Sequence, residues 1–443
     1  MTGDEIVGEA PDGWEYTTFG AACQRGGGDI QTGPFGSQLH ASDYVAVGTP
    51  SIMPQNIGDN RIIEDGIARI TSDDAKRLSR YLVRKGDIVY SRRGDVERRA
   101  LIREREDGWL CGTGCLRVRL GENGINPQYA SFYLAHPNVR EWIVGHAHGA
   151  TMPNLNTSIL AACPLLVPPP AEQQAIARIL GALDDKIELN RRMNEALEAI
   201  ARAVFKSWFI DFDPVRAKVE DRDPGLPKPI ADLFPARPLA SELGEIPEGW
   251  EVGRVGEEFD LTMGQSPPGN TYNETGAGLP FYQGRVDFGF RYPRRRVFCT
   301  APTRFAKAGD TLISVRAPVG DINMAAEDCA IGRGVAAARH KTGNRSYSYH
   351  FMRSLDEAFE RFEAEGTVFG SINKSDFHSI SISKPPRSII ALFEKTICPL
   401  DSRTELNERE YNVLSSLRDG LLPKLISGEL RIRGTAGSVD GET

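Results

Sequence analysis

Along residues 168–212, apolar and small polar positions recur at alternating steps of four and three: Ile176, Leu180, Leu183, Ile187, Asn190, Asn194, Leu197, Ala201, Val204 and Trp208. That spacing of about 3.5 residues predicts a long helix whose seam packs against another helix. Pro168, Pro169 and Pro170 set its start, because a proline run neither continues a strand ladder nor sits inside a helix. Roughly 35 residues at about 1.5 Å each make a rod of about 50 Å. Moved by 217 positions, the seam returns as Phe393, Ile397, Leu400, Thr404, Asn407, Tyr411, Leu414, Arg418, Leu421 and Leu425, behind Pro385-Pro386. Two copies of one helix predict a mutual pair, in which Asn190 and Asn407 cost stability and fix register. The second copy is less regular. Thr404 and Arg418 occupy seam positions, and Pro399 should kink or delay the helix.

The duplication extends beyond the helices. Pro11-Asp-Gly-Trp14-Glu15 is answered by Pro247-Glu-Gly-Trp250-Glu251, Lys85-Gly86-Asp87 by Ala308-Gly309-Asp310, and Gly112-Thr-Gly114 by Gly332-Arg-Gly334. The loop from Gly149 to Asn156 is answered by Gly366 to Asn373. Ile88 to Tyr90, the alternating Leu116, Val118 and Leu120, and Leu165 to Val167 predict strands. Asn126 and Pro127 predict a capped helix running to His136. Seven prolines between Asp213 and Pro247 read as a linker. The expected order is a first domain (1–167), first helix (168–212), linker (213–242), second domain (243–384), second helix (385–430) and tail (431–443). Residues 1–10 and the tail are expected to be disordered.

With 443 residues, 40% apolar and 26% charged, the chain can bury two or three cores and fits the soluble globular class. No run of eighteen apolar residues exists to span a membrane. Seven scattered cysteines and an acidic, non-apolar N-terminus point to the cytoplasm. The net charge of −7 argues against a simple basic nucleic-acid binder. Locally the balance reverses: Tyr81 to Arg105 holds eight Lys/Arg against four Asp/Glu, and Arg285 to Arg304 holds six Arg against one Asp. Such blocks can face phosphates. Phosphate-loop, nucleophile-elbow and zinc-protease motifs are all missing from the sequence. Asn126-Pro127-Gln128-Tyr129 lacks the second proline of the amino-methyltransferase motif and reads as a helix cap. The chain is therefore expected to be non-catalytic by itself and to bind neither cofactor nor metal.

Reading base edges takes Arg for guanine and Asn or Gln for adenine. Loops beside the predicted strands supply such groups. In the first half these are Ser37, Gln38, Gln55, Asn56, Arg92, Arg93, Arg98, Arg99, Thr151 and Asn154. In the second they are Gln265, Ser266, Gln283, Arg285, Arg294, Arg295, Arg296, Arg316, Arg333 and Thr367. Phe205, Trp208, Phe209 and Phe212 form an aromatic cluster at the end of the first rod, suited to docking a partner subunit or to packing within the chain.

The repeated Pro-Asp/Glu-Gly-Trp-Glu motif, Gly264-Gln-Ser-Pro-Pro268, Gly278-Leu-Pro-Phe-Tyr-Gln-Gly284, the stretch Phe205 to Lys218 and Leu421 to Leu430 resemble the specificity subunit of type I restriction-modification enzymes. The resemblance runs from about Pro11 to Leu430. It implies an α+β fold, with two similar mixed α/β target-recognition domains separated by two long helices that form an antiparallel coiled coil, related by a pseudo-two-fold repeat. It also implies that each domain reads one half of a bipartite site in double-stranded DNA. The partners it implies are two modification subunits, which carry S-adenosylmethionine and methylate adenine, and restriction subunits that translocate and cut. The rival expectation is a two-headed coiled-coil scaffold for other proteins. Salt separates the two, because phosphate contacts weaken steeply with salt and apolar docking does not.

Overall fold

The computed structural model describes residues 6–122, 124–149, 152–316, 318–365 and 370–432. The chain divides into two compact units, one of Met1–Glu188 with Tyr411–Thr443, the other of Leu189–Glu410. The division passes through both long helices, Pro170–Phe209 and Arg387–Ile426. Each unit therefore holds one globular domain and the turns of both helices that pack on it.

The first unit has strands β1 (Glu15–Thr18), β2 (Asp29–Thr32), β3 (Tyr44–Val45), β4 (Thr49–Ile52), β5 (Ala68–Ile70), β6 (Ile88–Ser91), β7 (Arg99–Leu101), β8 (Leu110–Cys111), β9 (Cys115–Arg119) and β10 (Pro164–Val167). One antiparallel sheet has the order β2-β9-β6-β7. The other has the order β3-β5-β4-β8, with β4 and β8 parallel. β1 pairs with β10 alone. Side chains alternate across a strand, so β6 serves two cores. Val89 joins Ile52, Ala100, Cys111 and Cys115 in the core shared by both sheets. Ile88 and Tyr90 face the other way, into a core with Ile176, Ala177 and Leu180 of the first long helix and Leu422, Leu425 and Ile426 of the second. The helix Pro127–Tyr133 lies in that layer, and the Asn126 side chain accepts hydrogen bonds from the Gln128 and Tyr129 amides at its start.

The second unit repeats the plan. A hairpin of β11 (Pro238–Ser241) and β12 (Gly244–Pro247) leads in. Then follow β13 (Glu251–Arg254), β14 (Phe259–Met263), β15 (Tyr272–Asn273), β16 (Leu279–Tyr282), β17 (Phe298–Cys299), β18 (Phe305–Ala306), β19 (Thr311–Val315), β20 (Val319–Met324), β21 (Cys329–Ile331), β22 (Val335–His340) and β23 (Ser381–Lys384). The sheets are β14-β22-β19-β20 and β15-β17-β16-β21-β18, with β16 and β21 parallel, and β13 pairs with β23. This is the first unit's order plus the edge strand β18. A single bridge from Leu82 to Leu110 stands in that place in the first unit.

Within each unit the helix segments pair antiparallel. In the second, Asn190 donates to Glu410 at 2.9 Å, Asn407 donates to Asn194 at 2.8 Å, and the Phe205 and Phe393 rings lie 5.4 Å apart. In the first, Arg418 donates to Asp184 at 2.8 Å. Asn190 and Asn407 are buried in the seam.

Four expectations need correction. The buried line of the first helix includes Asp184, Glu198 and Phe205, whereas Leu183, Leu197 and Val204 are only half-buried. The period holds but the face turns by one residue at these steps: arginines reach in to pair with Asp184 and Glu198, and Phe205 packs into the aromatic core. The second helix runs unbroken through Pro399. That residue is exposed, while Ile397 and Asp401 on either side are buried, so tertiary packing holds the turn that proline weakens. The proline-rich stretch is not a bare linker. It forms the helices Asp213–Val219 and Lys228–Ala231 and the β11–β12 hairpin, and it buries Val215 and Phe234 in the second unit's core. At the ends, Val7 is buried and Arg431 pairs with Glu172 at 2.5 Å, so order reaches past the expected limits. Residues 1–5 and 433–443 lie outside the described residues.

Candidate nucleic-acid interface

In each unit the same loops meet at one edge of the sheets. After β2 comes Gly33, and after β14 comes Gly264. A Cβ on Gly33 would lie 2.1 Å from the Gly112 carbonyl oxygen, and one on Gly264 would lie 2.1 Å from that of Gly332. Only glycine permits either approach. Both loops thus press on a Gly-x-Gly turn, Gly112-Thr113-Gly114 in one unit and Gly332-Arg333-Gly334 in the other. The Arg92 amide donates to the Gly114 carbonyl, and the Val315 amide donates to the Gly334 carbonyl.

A third loop closes the cluster. Arg93 forms a β-bridge with Asn154, and Arg316 forms one with Ser371. Ser371 lies 217 positions beyond Asn154, the offset of the helix repeat. The next amides repeat the contact: Leu155 donates to Arg92, and Ile372 donates to Val315. Each unit therefore holds one exposed arginine, Arg93 or Arg316, at an equivalent place. Neither has a carboxylate partner among the described residues. The Nε of half-buried Arg92 lies inside the protein with no acceptor among the described residues, at the same edge.

The expected residues divide on this geometry. Ser37, Gln55, Arg93, Gln265, Gln283, Arg294, Arg316 and Arg333 are exposed, and Ser266 and Asn154 are half-buried in the cluster. Arg98, Arg285, Arg295 and Arg296 are exposed too, but each is matched by a carboxylate: Asp95 at 2.6 Å, Asp321 at 3.2 Å, Glu327 at 2.5 Å and Asp287 at 2.9 Å. Thr151 and Thr367 lie outside the described residues.

Two expected contacts are buried and structural instead, and half-buried Gln38 is engaged in its own loop. Asn56 is buried and closes a turn, accepting from the Met53 amide and donating to the Ile63 carbonyl. Arg99 is 2% exposed, donating to the Ser131 carbonyl at 2.8 Å and pairing with Asp59 at 3.2 Å. The Gln38 side chain accepts from the Phe35 amide and the Tyr81 hydroxyl. The aromatic cluster is likewise interior. Phe205, Trp208 and Phe209 are buried, Phe212 packs on Trp250, and all belong to the second unit's core. They do not form a docking surface, because the structured stretch after the helix covers them.

Sequence reasoning missed the groups that fix each domain to its helices. In the first unit Asp59 meets Arg99 and Arg140 at 3.2 and 3.1 Å and Arg418 at 3.7 Å, and Arg418 also binds Asp184. Burial works against the charge on Asp59, but the three arginines outweigh it and hold its pKa below the ordinary value. In the second unit Arg291 is wholly buried. It pairs with Glu198 of one helix and with Asp401 of the other at 2.9 Å, and it stacks 3.9 Å over Tyr349. Burial also opposes ionisation of Asp401, yet His350, 3.9 Å away, and the Arg291 charge bring it down to about 2. Of these groups only Arg418 left a signal in the sequence, as a charge in an otherwise apolar period.

The type I restriction modification DNA specificity domain matches residues 36–199 and again residues 247–416. The putative type I restriction enzyme MjaX specificity subunit of Methanocaldococcus jannaschii is 28% identical over 439 residues, 96% of each chain. The type I restriction enzyme HindI specificity subunit of Haemophilus influenzae is 24% identical over 444 residues, 86% of this chain and 95% of its own. The solved type I restriction-modification system S subunit from M. genitalium shares the fold with a TM-score of 0.61 at 17% identity, over 93% of this chain and 96% of its own. A domain matched twice, over most of the chain and onto each long helix, shows that this protein belongs to the family of type I restriction-modification specificity subunits, which recognise DNA sequence.

Proposed function

We propose that each unit reads one half of a bipartite DNA site through its loop cluster. The observation that carries this reading is the repeated bridge, Arg93 to Asn154 and Arg316 to Ser371, which sets an exposed arginine, without a carboxylate partner among the described residues, at the same edge of two equivalent folds. Arg93 and Arg316 are placed to hold phosphates or guanine edges, and Gln55, Gln265, Gln283 and Arg333 to meet bases. Strand geometry fixes the loops before DNA arrives, so little ordering is left to offset binding.

The chain itself performs no chemistry. Two modification subunits bind S-adenosylmethionine and methylate adenine, and restriction subunits join to translocate and cut. Leu189, Ile200 and Leu406, exposed at 52, 52 and 57% on the second unit's helix turns, offer apolar contact to a modification subunit where the buried aromatics cannot. Adding the purified chain to its modification subunits should direct methylation to one split sequence, with binding that weakens steeply as salt rises. Methylation that does not depend on the chain would exclude the proposal.

A further inference from the structure

The two loop clusters match in backbone but differ in chemistry, most sharply in the loop after the first glycine. After Gly264 the second unit presents Gln265 and Ser266. After Gly33 the first has buried Pro34 and then presents Phe35, 54% exposed. A lone exposed apolar residue needs no explanation, but this one sits on a turn fastened from several sides. The Phe35 amide donates to the Gln38 side chain at 3.2 Å, and the Gln38 amide donates to the Phe35 carbonyl at 2.8 Å. The Tyr81 hydroxyl donates to the Gln38 side chain at 2.8 Å, and Arg77 donates to the Gln38 carbonyl at 2.9 Å. The Thr113 hydroxyl, from the Gly-x-Gly turn, donates to the Pro34 carbonyl at 3.1 Å. A turn this constrained holds the ring outward, beside the groups assigned to DNA.

The DNA group an apolar side chain can recognise by shape in the major groove is the thymine 5-methyl. Resting on the DNA-reading role above, we propose that Phe35 packs against a thymine methyl in the half-site read by the first unit. At the matching loop of the second unit Gln265 offers an amide, so that unit selects by hydrogen bonding.

The test uses the complex of this chain with its modification subunits and a duplex carrying the site it methylates. Each thymine of both strands of the first unit's half-site is replaced in turn by uracil, which removes only the methyl group. One replacement is expected to weaken binding roughly fourfold, as for one methyl group returned to water. Phe35→Ala is expected to lose a similar factor on the thymine duplex and to be indifferent to that replacement, so the two changes do not add. A half-site insensitive to every uracil, a uracil effect that persists in Phe35→Ala, or a Phe35→Ala loss equal on all sequences would overturn the assignment. Failure of the underlying reading looks different: the native complex would then bind the split site no better than a scrambled duplex.

Discussion

Arg291 is fully buried, and its two carboxylate partners sit on different helices. Removing one member of such a group strands the others without water, a loss of about 3 to 5 kcal/mol. Arg291→Ala is therefore expected to lower the urea midpoint by at least what a loss of about 3 kcal/mol implies. A shift within error of wild type would show the cluster to be dispensable. At the reading edge the arginines are not equivalent. Arg316→Ala and Arg333→Ala should weaken DNA binding about tenfold and leave the melting temperature unchanged. Arg296→Ala should instead lower the melting temperature, because Asp287, 2% exposed, loses its ion pair. Binding titrations beside thermal melts separate the two outcomes. The Arg-rich block from Arg285 to Arg304 was visible in the sequence. Which arginines the protein had already neutralised was not: Asp321 and Glu327 reach Arg285 and Arg295 from distant strands and turns, and even Asp287, inside the block, meets Arg296 only through the fold.

For the elements, the 3.5-residue period foretold both long helices and their seam. It could not place Asp184 and Glu198 inside, since a carboxylate is buried only where a cation from another element meets it. It also misjudged Pro399. A proline costs an isolated helix about 3 kcal/mol, whereas here the neighbouring turns are held by buried contacts on both sides. Pro399 is exposed, so Pro399→Ala restores a backbone donor without losing packing. It is expected to raise thermal stability by an amount up to about 3 kcal/mol, read as a higher melting temperature. Its prolines make the stretch after the first helix read as a linker in the sequence. Pro214, Pro227 and Pro229 stand at the starts of two short helices, where a missing amide does no harm, and Pro238 and Pro247 lie in the hairpin strands.

Across the whole molecule, each unit has its own paired sheets and its own core. Exchanging residues 11–167 for those of another family member should therefore change one half of the methylated sequence and leave the other intact. Mapping methylated adenines in cells that express the exchanged chain checks this, and a change in both halves would refute independent reading. By itself the sequence determined the duplication, the two long helices and the domain repeat, because period, turn residues and repeated motifs are local and survive in one dimension. The tertiary structure alone decided which charges are spent inside, that the Phe205 cluster is core, and that Arg93 and Arg316 share one position. Those outcomes depend on which groups from distant segments come within a few ångströms, and no spacing along a chain encodes that distance.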